Sequence, residues 1–229
     1  MFSLYFITRM EAEERHIVMW SGGLDSTYVL DDLLRKKKEG KIAEDVIAFS
    51  IDHDQVNVLQ RRAEKKARKA FIKWASKEYF RFRSETVTIR GGCVNNNGCG
   101  QAATWLSLMP YLTRWFNKLD STKNLVHFAY LRGDDFWHHE RDFRDVFYNS
   151  MRILGYEYPK SNMQYDLQSR NKWELIAWER RIKRKAPGSI WYCESPTGRL
   201  QPCNKCNCCI RHRMAQTEYR LRRRLGIAK

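Results

Sequence analysis

Four short runs rich in β-branched and aromatic residues, His16 to Trp20, Val46 to Ile51, Glu85 to Arg90 and Leu125 to Tyr130, alternate with segments of helical periodicity. After the first run, Tyr28, Val29, Leu30, Leu33 and Leu34 recur with helical spacing; Arg35 to Lys38 then place cations at the negative end of the dipole, and Gly40 ends the helix. Leu59, Ala63, Ala67, Ala70, Phe71 and Trp74 draw one apolar stripe through a basic segment, which reads as a long amphipathic crossover helix whose Arg/Lys face is solvated. Phe143 to Leu154 forms a further helix, with Gly155 placed to end it in a left-handed conformation. Another helix is expected around Trp173 to Ile182, and Pro187-Gly188 then introduces a cysteine-rich segment. Strands alternating with helices of this length predict an α/β fold: a parallel sheet with helices on both faces and ligands at the carboxyl ends of its strands.

At 229 residues the chain allows one globular domain with an appendage, or two small ones. We divide it into a nucleotide domain over 1–186 and a metal-binding segment with a basic helix over 187–229. No stretch supplies the roughly 18 consecutive apolar residues of a membrane span. The apolar opening Met1 to Thr8 lacks a preceding basic segment and is followed by Glu11, Glu13 and Glu14, which argues against a secretory signal. A cytoplasmic location is the resulting expectation. Lys and Arg outnumber Asp and Glu by 42 to 26, a net charge of +16, so the expected partners are anionic: nucleotides, nucleic acid or acidic metabolites. Of the seven cysteines, Cys193, Cys203, Cys206, Cys208 and Cys209 cluster, which suits metal ligation in a reducing compartment better than disulfides.

Between the first strand and the first helix stands Ser21-Gly22-Gly23-Leu24-Asp25-Ser26, where free backbone N–H groups and the positive helix end make an anion site. The two glycines let backbone approach an oxyanion, Ser21 and Ser26 add hydroxyl donors, and Asp25 can orient the loop or a magnesium ion. No lysine follows the glycines, so this is not the Walker loop. As a bare pattern it is also compatible with an ordinary turn. Cys193, Cys203, Cys206 and Cys209 read C-x9-C-x2-C-x2-C, a spacing that can close a tetrahedral zinc site, with Cys208 spare or exchanging with Cys206 or Cys209. Four sulfurs also suit an iron–sulfur cluster, while Cys93 and Cys99 read as buried or loop thiols.

The loop resembles that of the adenylating ATP pyrophosphatases, a Rossmann-like, adenine nucleotide alpha hydrolase-like superfamily that splits ATP between its α and β phosphates. Together with the cysteine pattern and the chain length, it is similar to the 7-cyano-7-deazaguanine synthase family over nearly its whole extent. That resemblance implies an ATP-dependent carbon–nitrogen ligase of queuosine-type biosynthesis, which converts 7-carboxy-7-deazaguanine to the nitrile with ammonia. Two ATP would go to AMP and pyrophosphate by way of an amide. It implies ATP and magnesium at Ser21, Gly22, Gly23, Leu24, Asp25, Ser26 and Ser50, with Ser21, Asp25 and Ser26 catalytic. Gln55, Asp134, Asp135 and Lys172 would bind substrate, the four cysteines a structural zinc, and the chain would form a homodimer. Trp191 and Arg211 also look like family positions. The chain departs from the family at Asp54-Gln55-Val56-Asn57 and at Trp137-His138-His139-Glu140-Arg141.

Read without the resemblance, Asp134 and Asp135 are either magnesium or substrate ligands or the capping acids of a turn. His138 and His139 are either donors to an anionic substrate, one of them a general base, or solvated. Arg211, Arg213, Arg220, Arg222, Arg223 and Arg224 lie on an expected basic helix, which supports a second reading as a zinc-stabilised nucleic-acid-binding protein. Further alternatives are an enzyme that stops at the amide or one that adenylates a tRNA base.

Overall fold

Strand β1 (Arg15–Met19) is flanked on one side by β2 (Asp45–His53) and on the other by β4 (Asn124–His127). With β3 (Arg83–Ile89) beyond β2 and β5 (Met163–Gln164) beyond β4, all pairs parallel, the sheet order is β3-β2-β1-β4-β5. In this computed structural model, residues 15–53, 57–89, 105–106, 124–156 and 162–228 are described. Val46, Ile47, Ala48 and Phe49 are all buried, as expected of a central parallel strand covered on both faces. The chain passes from β1 to β2 to β3 in one direction and then returns to the other side of β1, so β1 and β4 flank the topological switch point.

Helices α1 (Leu24–Lys38) and α2 (Val58–Glu78) make the crossovers on one face. Here Val18 and Trp20 meet Val29, Leu33, Phe71 and Ala75, joined by Ile176 and Ile182 of α4 (Ile176–Lys185) and Ala215 and Tyr219 of α5 (Asn207–Arg224). The opposite face, carrying Ile17 and Met19, packs on α3 (Glu140–Ile153) through Phe143, Phe147 and Met151. Asp31, buried in α1, accepts from the Tyr79 hydroxyl at 2.7 Å and the Trp178 indole N–H at 2.7 Å, which fastens α1 to the end of α2 and to α4. Gly40 and Gly155 adopt the positive φ, +67° and +81°, that the helix-end reading requires. The four expected strands are present within a few residues of their anticipated ends. The two-residue β5 was not expected; it pairs at the free edge of β4, with Phe128 N donating to Gln164 O at 2.9 Å. No helix among the described residues is long and apolar enough to cross a membrane.

A polar chain runs through the sheet on the α1 side. His16 in β1 bonds His127 in β4 at 2.9 Å, His127 bonds Asp166 at 2.8 Å, and Glu44 stands 3.7 Å from the far nitrogen of His16. Burial holds the His16 pKa at about 4 against the usual 6.5, His127 lowering it further while Glu44 and Asp166 oppose; Lys36 faces Asp166 from α1. Between those two values the unfolded chain binds a proton that the folded chain refuses. Stability therefore falls on acidification through that window, by up to about 1.4 kcal/mol per pH unit. Urea midpoints at about pH 7, 6 and 5 are expected to fall in that order, and His16→Asn to flatten the dependence; parallel pH profiles for the two proteins would contradict this assignment.

Candidate active site and metal centre

The segment after β1 is held from beneath. Trp20 N donates to Phe49 O at 2.7 Å, and its buried indole N–H donates to the Thr27 hydroxyl at 2.9 Å, so one residue ties the start of the loop to β2 and the far side of the loop to itself. Gly22 turns the chain with φ +86°, a conformation that disfavours any side chain, and Gly23 caps α1 with extended backbone. Ser21 and Ser26 tie the turn together: their hydroxyls are 3.0 Å apart, Ser26 Oγ accepts from Ser21 N at 3.2 Å and Ser21 Oγ accepts from Gly23 N at 3.2 Å. Leu24, Asp25 and Ser26 form the first turn of α1, whose N–H groups have no partner within a helix. Gly23 provides no side chain to close them. The loop thus keeps amide donors and the positive dipole end for an anion.

Arg68, on α2, was not singled out in the sequence. It is buried, donates to Ser21 O at 3.0 Å, and lies so close to Gly22 that a Cβ there would stand 2.8 Å from its Cγ. Ser50, within β2 and next to the Phe49 that Trp20 bonds, is fully buried, and its hydroxyl has no hydrogen-bond partner among the described residues.

Two ion pairs stand beside the turn, at the switch point where such sheets hold ligands in a crevice. The Lys172 ammonium lies 3.2 Å from Asp25, and the Arg211 guanidinium donates to Asp134 at 2.5 Å. Burial raises the Asp25 pKa, Lys172 opposes that shift, and the charge of Asp134 adds to it. The hydrogen bond from Arg211 to Asp134 in turn raises the Arg211 pKa. Asp134 spends its other oxygen on Leu131 N at 2.7 Å, so it caps its turn and faces the crevice at once. Lys172 opens a 3-10 turn, Lys172–Leu175, fixed by a capping box between Asn171 and Glu174. The sheet thus brings together Ser21 to Ser26, Asp134, Lys172 and Arg211. Asp135 is exposed at the start of the next 3-10 turn, and His138 and His139 are exposed near its end. Gln55, Cys93 and Cys99 lie outside the described residues.

The sulfurs of Cys193, Cys203, Cys206 and Cys209 gather within 4.8 Å of one another. Pairs at 3.9 and 4.0 Å match the edge of about 3.8 Å that four Zn–S bonds make in a tetrahedron. A cubane cluster puts an iron and a sulfide core between its thiolates and spreads them wider, so the donor set fits a single ion. Asn204 takes a left-handed φ of +60° inside the knuckle, and the N–H groups of Lys205 and Cys206 donate to Cys203 Sγ at 3.4 and 3.3 Å. Those donors lower the Cys203 pKa to about 6. Cys208 stays outside the quartet; burial and Glu194 push its thiol up to about 12.

The metal segment braces the loop. Trp191 N donates to Gly22 O at 3.2 Å, while the Trp191 indole N–H donates to Cys193 O at 2.6 Å. Behind it, buried His212 stacks on Tyr192 at 3.9 Å and lies 3.3 Å from buried Glu179, which also pairs with Lys183 at 2.5 Å.

Fold and site define a doubly wound parallel α/β protein with an anion-binding turn at its switch point and a four-thiolate centre that could hold a metal ion. No protein-family model and no curated protein matches the chain. Among solved structures it is similar to a U34-tRNA thiolase, NcsA from Methanococcus maripaludis, described with its [4Fe-4S] cluster. The two share 12% identity with a TM-score of 0.40, over 89% of this chain and 82% of that one.

Proposed function

We propose that the crevice is an ATP pyrophosphatase site that joins AMP to a substrate oxygen, and that the substrate is a 7-deazapurine carboxylate. The carrying observation is the conformation and placement of the Ser21 to Ser26 turn: glycine at φ +86°, free helix-end amides, and the Lys172–Asp25 and Arg211–Asp134 ion pairs at the switch point. A carboxylate oxygen attacks the α-phosphorus while the bridging α–β P–O bond breaks, and pyrophosphate leaves onto the turn. The amides of Leu24, Asp25 and Ser26 receive it, and Lys172 and Arg211 offset charge. Ammonia then displaces AMP to give the amide. A second ATP activates the amide oxygen, and loss of that AMP leaves the nitrile. Buried Ser50 offers its unspent hydroxyl to the nucleotide. Magnesium accompanies ATP, and a single zinc ion at the four cysteines serves structure, since a closed sulfur shell leaves no position for water.

The test is incubation of the purified protein with ATP, magnesium, ammonium and 7-carboxy-7-deazaguanine. AMP and pyrophosphate with nitrile or amide support the proposal, the amide alone placing the end of the reaction one step earlier. ADP, or no nucleotide turnover, overturns it. Lys172 gives a sharper prediction. Because its charge opposes the upward pull of burial on Asp25, Lys172→Ala is expected to move the acid limb of the pH profile of kcat/KM upward. An unmoved limb with lower activity would assign Lys172 to substrate contact alone.

A further inference from the structure

Helix α2 carries Arg62, Lys65, Lys66, Lys69, Lys73 and Lys77 on its exposed side, opposite the buried Ala63, Ala67, Phe71 and Ala75. At about 100° per residue these six cations fall within roughly a third of the circumference. Neither acid of the helix shares that stripe: Glu64 accepts from Gln60 at 2.8 Å and lies 4.0 Å from Arg68, and Glu78 lies 3.7 Å from Lys185. On the other helices many cations, though not all, meet an acid. Arg35 and Lys36 meet Asp32, Lys37 meets Asp45, Arg144 meets Glu140, and on α5 Arg211 meets Asp134 and Arg222 meets Glu218. Among the described residues no acid pairs with the α2 stripe. Like charges three and four residues apart repel along a helix, a repulsion that folding alone does not require.

We propose that this stripe binds the phosphodiester backbone of a nucleic acid. From Arg62 to Lys77 it runs about 22 Å, long enough to meet several successive phosphates of one strand. Val58 is exposed one turn before Arg62, but from Arg62 to Lys77 no exposed apolar side chain interrupts the stripe, so it lacks the apolar centre that a protein partner would need. The apolar side of α2 is buried in the core and unavailable to a lipid surface. The same turns of α2 send Arg68 inward to Ser21 and Gly22, on a different flank of the helix from the stripe. The binding is independent of the proposed reaction and is measured without ATP.

The experiment is fluorescence anisotropy of the full chain with labelled single-stranded RNA and DNA of one sequence across a potassium chloride series, for the parent and a K66E/K69E/K73E variant. The parent is expected to bind with a steep salt dependence, and the variant to lose at least about 100-fold in affinity with a shallower slope. Its circular dichroism and melting temperature should stay at the parent's values. Tighter binding of one strand type names the source of the phosphates. An R220E/R223E/R224E variant on α5 should bind like the parent. The proposal is overturned if that α5 variant alone abolishes binding, if the α2 variant binds like the parent, or if polyglutamate of equal charge competes as well as RNA. AMP release from a free carboxylate should be unchanged in the α2 variant, whereas a parent chain that binds RNA but releases no AMP would count against the enzyme reading and not against this one.

Discussion

A Cys209→Ala variant is expected to purify without its metal and to melt about 10 °C below the parent chain, the shift that corresponds to roughly 3 kcal/mol in a protein of this size. Cys209 is buried, and its sulfur lies 3.9 Å from that of Cys203, so removing it opens the shell where the C-terminal segment meets the body of the protein. Loss of the ion frees Cys193 and the knuckle, and with them the start of α5, whose Ala215 and Tyr219 belong to the core under α1 and α4. Cys208→Ser supplies the control: one residue away but outside the quartet, it should keep one equivalent of metal. Metal analysis and thermal melts read both. Zinc without visible absorbance is the expected content, and a broad absorbance of iron–sulfur character would replace zinc by a cluster. Full metal content in Cys209→Ala would refute the ligand set. The damage should extend to turnover, because the Trp191 link from Cys193 to Gly22 carries the order of the metal segment to the loop.

The central strands were legible because a parallel strand buried on both faces must be written as an unbroken apolar run, as Val46 to Phe49 are. The edge strand was not. Met163–Gln164 has two residues, no alternation, and a ladder supplied entirely by the edge of β4, which no local pattern announces. The turn at Ser21 to Ser26 could be read because it joins a strand to a helix and carries its own glycines. Its partners could be named through a family likeness, but their pairing could not be derived: Lys172 lies 147 residues from Asp25, and Arg211 lies 77 from Asp134. Arg68 shows the limit most clearly. It sits among basic residues of similar chemistry, and what separates it from Lys66 and Lys69 is its angle around α2. That angle acquires meaning once the strand order shows which flank of the helix faces the loop. His16 and His127 are concealed in another way, as polar letters in apolar strands that stay buried by bonding to each other.

Gly22→Ala is expected to reduce AMP formation by at least about 100-fold while leaving the chain folded, which corresponds to some 2.7 kcal/mol of transition-state binding. Two physical causes add. The backbone at φ +86° disfavours a β-carbon, and that carbon would stand 2.8 Å from Arg68 Cγ and 3.4 Å from Glu64 O. Arg68 cannot swing aside cheaply, since it is buried and holds Ser21 O at 3.0 Å. The turn must therefore move, carrying Gly22 O away from Trp191 N and re-aiming the amides of Leu24 to Ser26. Arg68→Ala separates the causes. By itself it removes the brace on Ser21 and should lower turnover more modestly, through a looser loop. Combined with Gly22→Ala it removes the collision but not the strained φ, so the double variant should recover part of the lost rate, and a double-mutant cycle reads the coupling directly. Full additivity would show that Arg68 and Gly22 act separately and that the left-handed conformation alone sets the requirement. Unchanged AMP formation in Gly22→Ala would mean that the leaving pyrophosphate does not rest on this turn, and the proposed adenylation would lose its site.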